Sequence, residues 1–383
     1  MAKDALRDKA AVVGVGCCQF GENWDQSPSD MIVDAAYEAY ADAGIDDPQA
    51  RIDAVFTGSI YSQKGPHECS DALKLFGKPV TTVSNYCATG TDAFRCGVMS
   101  VACGLYDTVL VVGYDKPKDR GVSGPSVMMN GVRDLPQTPA GWFALCASTY
   151  FDKYGAGRED LARIAIKNHH NGTLAPNSFL KREITLDDYM KGRLISWPFG
   201  LYDCAAQTDG AAAAIITRAD LAKSFRPDPV TVKGVTVIAG PNPQKDPGND
   251  FLSWKPTGWA AEDVYAQAGV GASDIDVAQV HDCFSLTELL TYEDLGFCEK
   301  GAAKDHIQAG RFELGGELPV NTDGGLKSFG HPTGATGVRM IYENVLQLQG
   351  RAEKRQVPDA EIALSHNIGG HPTACGIAIL ARS

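Results

Sequence analysis

No run of apolar residues in this chain approaches the roughly 20 that a membrane-spanning helix needs, so no membrane association is expected. An excess of basic residues is also missing. The 383 residues carry a formal net charge of −12, the wrong sign for a protein that binds nucleic acid or adheres to anionic lipid. The eleven cysteines include no C-x-x-C pair and no Cys/His cluster at zinc spacing, so no metal site is expected. Their number is odd, and several, such as Cys103 and Cys375, sit inside apolar runs. That pattern points to a reducing, cytoplasmic compartment with mostly buried thiols rather than to a disulfide framework. No signal-peptide segment precedes the first strand-like run, Ala11–Val15, and Ala381-Arg382-Ser383 does not match the peroxisomal tripeptide.

What is present is the make-up of a globular protein, 44% hydrophobic and 21% charged, long enough for two domains or one duplicated core. The first part alternates strand and helix. Ala11–Val15 reads as a strand, Asp30–Tyr40 as a helix capped by Ser29 or Asp30, and Ile52–Phe56 as a strand. Thr108–Tyr114 is a β-branched run suited to a strand buried on both faces. This alternation predicts an α/β layered fold with parallel pairing. From Asp115 to Leu201 the pattern breaks into a segment rich in Gly, Pro, Met and aromatics (Pro125, Met128, Met129, Pro136, Pro139, Trp142). It reads as a long insertion over the sheet, with a helix around Glu159–His170.

An internal repeat organises the rest. Tyr40-Ala41-Asp42-Ala43-Gly44-Ile45 followed by Ile52-Asp53-Ala54-Val55 returns as Tyr265-Ala266-Gln267-Ala268-Gly269-Val270 followed by Ile275-Asp276-Val277-Ala278. Cys87-Ala88-Thr89-Gly90 is echoed by His331-Pro332-Thr333-Gly334, again before a helical run. Two motifs in the same order imply a duplicated βαβαβ unit, with Cys87 and His331 on pseudo-symmetric turns. The strand Thr231–Ile238 would open the second half as Ala11–Val15 opens the first. The expected division is 1–114 with 202–240 as the N-terminal half, 115–201 as the insertion, and 241–383 as the C-terminal half.

Four stretches carry chemistry. Val80–Val83 breaks into Asn85-Tyr86-Cys87 at a strand-to-helix turn, where open amide N–H groups would lower a thiol's pKa. For a lone cysteine, a small buried apolar residue is the competing reading. His281-Asp282-Cys283-Phe284 follows the strand Val277–Val280 at its C-terminal end. Asn321–Pro332 is a glycine-rich loop ending in Gly330-His331-Pro332, and Ser365-His366-Asn367-Ile368-Gly369-Gly370 ends another strand. Cys204 and Cys375 read as packing residues, and His169-His170 as a helix-end or surface pair.

Taken together these motifs resemble the thiolase superfamily, in its sterol-carrier-protein type and archaeal or bacterial branch, over essentially the whole chain. The resemblance implies a five-layer α-β-α-β-α core and an acyltransferase that works on CoA thioesters as substrates, with no further cofactor. It implies Cys87 as the acyl-accepting nucleophile, with His331 lowering its pKa. His281 and His331 would hold the enolate oxygen, and the backbone N–H groups of Cys87 and Gly369 the tetrahedral oxyanion. Better-known thiolases place a C-x-G cysteine where Asn367 stands here, and Asn cannot shuttle a proton. The resemblance to the sterol-carrier-protein type branch implies the H-D-C-F cysteine as its replacement, so Cys283 is the acid/base candidate, with His366, Asn367 and Gly330 as candidate site walls. The resemblance further implies acyl-CoA and CoA as partners, a homodimer or dimer of dimers, and a small zinc-ribbon/OB-fold accessory protein. Three alternatives stand beside it: a C-acyltransferase subunit acting on a non-thioester acceptor, a retro-aldol lyase of the same fold, and a non-catalytic acyl-CoA-binding subunit.

Overall fold

The computed structural model describes residues 4–62, 65–121, 138–243 and 245–383. Pro125, Met128, Met129 and Pro136, part of the expected insertion, lie outside the described residues. Strands β1 (Ala10–Cys17), β2 (Ala54–Gly58), β3 (Val80–Val83) and β4 (Thr108–Asp115) come first. The short hairpin β5 (Leu194–Ser196) and β6 (Phe199–Gly200) follows, then β7 (Gly210–Arg218) and β8 (Val230–Ala239). The chain finishes with β9 (Val277–Gln279), β10 (Ile362–Gly369) and β11 (Ala374–Arg382).

Strand order is β3-β2-β4-β7-β1-β8-β11-β10-β9. Read outward from the β1/β8 junction, each half runs first strand, last strand, fourth strand, second strand, so the order is mirrored. The third strand of the second half survives only as a bridge between Ala278 and Val320. β2 is parallel to β3 and β4, whereas β7 is antiparallel to β4 and β1. In the second half β9 and β10 are parallel, and β11 is antiparallel to β10 and β8. The duplication read from two short motifs is thus carried by the whole topology. β8 has the place in the second half that β1 has in the first, so a division at residue 240 separates it from β9, β10 and β11, the strands of its own half.

The helices complete the five layers. Pro28–Asp42 covers β1 and β7 on one outer face, and Lys255–Ala268 covers β8 and β11 on the other. Between them lie Thr89–Ala102 and Thr336–Leu348, which touch each other and strands of both halves. Their approach is close enough to require glycine: a Cβ on Gly337 would stand 2.3 Å from the Thr91 nitrogen. The outer Pro28–Asp42 helix is capped by Ser27, not by Ser29 or Asp30. Ser27 Oγ accepts from the Asp30 amide while the Asp30 carboxylate accepts from the Ser27 N–H. Asp30, one of the two expected caps, is instead the third helical residue of a capping box.

The insertion is more helical than its composition suggested. Pro139–Tyr154, capped by Thr138, precedes Arg158–Leu174. The buried face of both helices, with Trp142, Phe143, Tyr150 and Leu161, belongs to one apolar cluster with Leu286, Leu289 and Leu364 of the second half. The insertion therefore packs onto the C-terminal half and brings Pro139 and Phe143 to the mouth of the cleft. No helix among the described residues is long and apolar enough to cross a membrane.

Candidate active site

The nucleophile turn is held by its own backbone. Tyr86 takes a left-handed conformation (φ 50°), which swings the chain from β3 into the Thr89–Ala102 helix. Thr89 closes the turn: its hydroxyl accepts from the Asn85 N–H at 2.7 Å and donates to the Tyr86 carbonyl at 2.5 Å. Cys87 is left just ahead of the helix, half-buried, with its sulfur at the floor of a cleft of about 130 Å³.

The same cleft is lined by His281, Cys283 and His331. All four side chains expected to carry the chemistry therefore meet, although they come from three turns in two halves of the chain. His331 Nε2 lies 3.3 Å from Cys87 Sγ, and its Nδ1 lies 2.7 Å from Thr336 Oγ1. The imidazole of His281 stands edge-on to that of His331, ring centres 5.4 Å apart. Cys283 Sγ is 3.5 Å from Thr287 Oγ1. Gly330 makes the approach of His331 feasible. Its φ of 121° suits glycine, and a Cβ there would stand 2.5 Å from Thr208 Oγ1.

The electrostatics differ from the expectation for Cys87. Its thiol is pushed up to about 12, first by burial; N–H groups of Gly370 and of Cys87 itself pull the other way, and the Asp115 charge adds to the rise. His331 is pushed down to about 3, first by burial and then by the Arg339 guanidinium. His281 is held well below the usual histidine range by burial and then by His331, and burial raises the Cys283 thiol. An open helix end favours a thiolate, but desolvation of the charged form is the larger effect here. The resting pair is a neutral thiol beside a neutral imidazole. Among the described residues, Cys87, His281 and His331 also form the group whose donor atoms, within 4.8 Å of one another, could hold a metal ion.

The residues proposed as site walls stand one layer back. β10 extends through Gly369, so His366 and Asn367 alternate to opposite sides of the strand and both are fully buried. His366 Nδ1 accepts from the His281 backbone N–H (3.4 Å), and its Nε2 lies 3.0 Å from Thr257 Oγ1. Asn367 Nδ2 meets His281 Nδ1 at 2.9 Å. Neither these two nor Gly330 lines the cleft. The amides that favour a charged Cys87 sulfur are its own and that of Gly370, one residue beyond Gly369. Cys204, read as packing, lines the cleft.

Sequence reasoning missed Asp115. At the end of β4, its buried carboxylate accepts from Ser59 Oγ (2.7 Å), Tyr61 N (2.7 Å) and Gly334 N (2.6 Å). It joins the cleft-lining Ile60-Tyr61 loop to the turn after His331. An acidic residue closing a buried β-branched strand was the available signal.

Comparison with known proteins agrees with this geometry. Residues 10–193 match the thiolase N-terminal domain, and residues 247–382 match the thiolase C-terminal domain-like family. The acetyl-CoA acetyltransferase of Methanothermobacter thermautotrophicus is 36% identical, over 98% of this chain and 100% of its own. Sterol carrier protein 2 of Gallus gallus is 35% identical over 95% of this chain and 70% of its own. Among solved structures, the Ltp2-ChsH2(DUF35) aldolase superposes with a TM-score of 0.85 at 27% identity, covering 98% of both chains. With both halves matched and a relative similar from end to end, the chain belongs to the thiolase family.

Proposed function

We propose that the protein cleaves a β-ketoacyl-CoA with CoA, or joins two acyl-CoAs, through an S-acyl intermediate on Cys87. The observation that carries this reading is the 3.3 Å contact between Cys87 Sγ and His331 Nε2. A neutral thiol with a bare imidazole nitrogen against it needs no preformed thiolate. His331 takes the proton as sulfur attacks the thioester carbonyl, and the N–H groups of Cys87 and Gly370 stabilise the oxyanion. The departing CoA thiolate takes the Cys283 proton. Cys283 is then a thiolate in a poorly solvating site, a strong base for the α-proton of a second acyl-CoA. The resulting carbanion attacks the acyl carbonyl, and Cys87 leaves and recovers its proton from His331. Cleavage is the same sequence reversed.

A retro-aldol reading draws support from the aldolase neighbour, but an aldol cleavage has no use for a thiol and base in contact. The DUF35 component in that neighbour's name supports a small accessory protein as partner. Edge strand β3, partly exposed and paired on one side only, supports self-association. The deciding experiment is intact-mass measurement after incubation with acyl-CoA. A single acyl adduct is expected, absent in Cys87→Ala. An unacylated wild type, or an adduct that persists in the variant, overturns the proposal.

A further inference from the structure

The two cleft histidines are both shifted down by burial, yet their neighbours differ in a way that decides where each carries its proton. Thr336 Oγ1 lies 3.1 Å from the Pro332 carbonyl and 2.7 Å from His331 Nδ1. A hydroxyl has one hydrogen, and here it is directed at the Pro332 carbonyl, the bond a helical threonine makes to the residue four back. Thr336 Oγ1 must then accept from His331 Nδ1–H, which leaves Nε2 as a lone pair facing Cys87. At His281 the arrangement is reversed. The group against its Nδ1 is the Asn367 amide nitrogen, a donor only, at 2.9 Å. In this orientation Asn367 Oδ1 accepts from the Thr91 hydroxyl at 3.4 Å. His281 Nδ1 therefore accepts, and its ring hydrogen sits on Nε2.

We propose that Thr336 and Asn367 are positioning residues that lock His331 and His281 in opposite tautomers, making the first a proton acceptor and the second a fixed hydrogen-bond donor. This inference rests on the acyltransferase reading for its use, though not for its geometry. The Asn367 contact also bears on the metal-competent trio Cys87, His281 and His331. A metal ion needs a lone pair from each ligand. On His281, Nδ1 is occupied by the Asn367 N–H and Nε2 carries the proton, so the trio offers an ion only two ligands. The asparagine that stands where other thiolases have a cysteine thus supplies the oxyanion donor and keeps the cleft from closing on zinc.

Asn367→Asp tests this. A carboxylate in that position accepts from His281 Nδ1–H and leaves Nε2 free, the usual arrangement behind a metal-bound histidine. Zinc chloride should then bind with loss of the Cys87 thiol proton to solvent, and should inhibit Cys87 acylation at about tenfold or more lower concentration than in the wild type. Without zinc, condensation should fall about 10²-fold, because one oxyanion donor is lost. Equal zinc sensitivity of the two proteins overturns the proposal. Should the variant not fold, nitrogen-15 NMR of histidine-labelled wild-type protein decides. A hydrogen on His281 Nε2 and on His331 Nδ1 is expected, and the same tautomer at both overturns it. Wild-type protein that takes no acyl group would end the acyltransferase reading while leaving the tautomers to be read.

Discussion

Asn168, on the Arg158–Leu174 helix of the insertion, shares its side-chain nitrogen between Asp282 Oδ2 at 2.8 Å and Glu288 Oε2 at 2.7 Å. Asp282 also accepts from the Leu326 and Lys327 amides, so it joins the insertion, the turn bearing His281 and Cys283, and the loop leading to His331. Asn168→Leu would leave two buried carboxylates without their common donor. A loss of about 2–4 kcal/mol is expected, read from urea unfolding. A change under about 1 kcal/mol would mean the bridge is structurally idle.

Cys87 should behave as a thiol, not a thiolate. With its pKa pushed up to about 12, the thiolate fraction rises with pH throughout the neutral range. Alkylation by iodoacetamide should accelerate about tenfold per pH unit between roughly pH 7 and 9. A rate that is already level at neutral pH would show a preformed thiolate.

Acylation itself should be nearly independent of pH over that range. His331, pushed down to about 3, stays neutral, and Cys87 stays protonated. Single-turnover release of CoA, followed from about pH 6 to 9, should show no rising limb near the ordinary histidine value. A limb there would place His331 in solvent-like surroundings.

Cys283→Ala should separate the two half-reactions. Acylation of Cys87 should survive, while exchange of the acetyl-CoA α-protons with deuterated solvent should fall by about 10²–10⁴-fold. Exchange at the wild-type rate would move the acid/base role to another group.

Asp115→Asn should loosen the cleft from behind. The amide keeps one acceptor oxygen, so its NH2 must turn either toward the Gly334 N–H, bound by Oδ2, or toward Ser59 and Tyr61, bound by Oδ1, and all of these donate. About 2–3 kcal/mol of stability should be lost, with slower acylation as the His331 turn shifts. Thermal unfolding and the acylation rate measure the two effects separately.

Much of this site was legible because its chemistry is local in sequence. Cys87, His281, Cys283 and His331 each stand at a strand end or glycine-rich turn, and the repeat showed that two of those turns are equivalent. What was not legible depends on packing. The Pro139–Tyr154 helix has alanines and aromatics on its buried face, and its proline and glycine read as loop. The direction of the Cys87 shift was misjudged because a helix end is visible in sequence and desolvation is not. Asp115 and Gly370 act through backbone amides from distant segments, which no spacing rule reveals. His366 and Asn367 read together as site walls at a strand end, whereas the continuation of β10 sends them to opposite sides of the strand.

The mirrored halves have a consequence for the chain as it is made. Cys87 is separated from His331 by 244 residues, and the Gly370 amide is encoded later still. A growing chain that has folded only its first half holds a nucleophile with neither its base nor its oxyanion donor. Catalysed acyl transfer is then out of reach, since the base and the Gly370 donor both come from the second half. Reactivity begins only when the closing strands are in place, so chemical competence reports that the whole polypeptide has been built and folded.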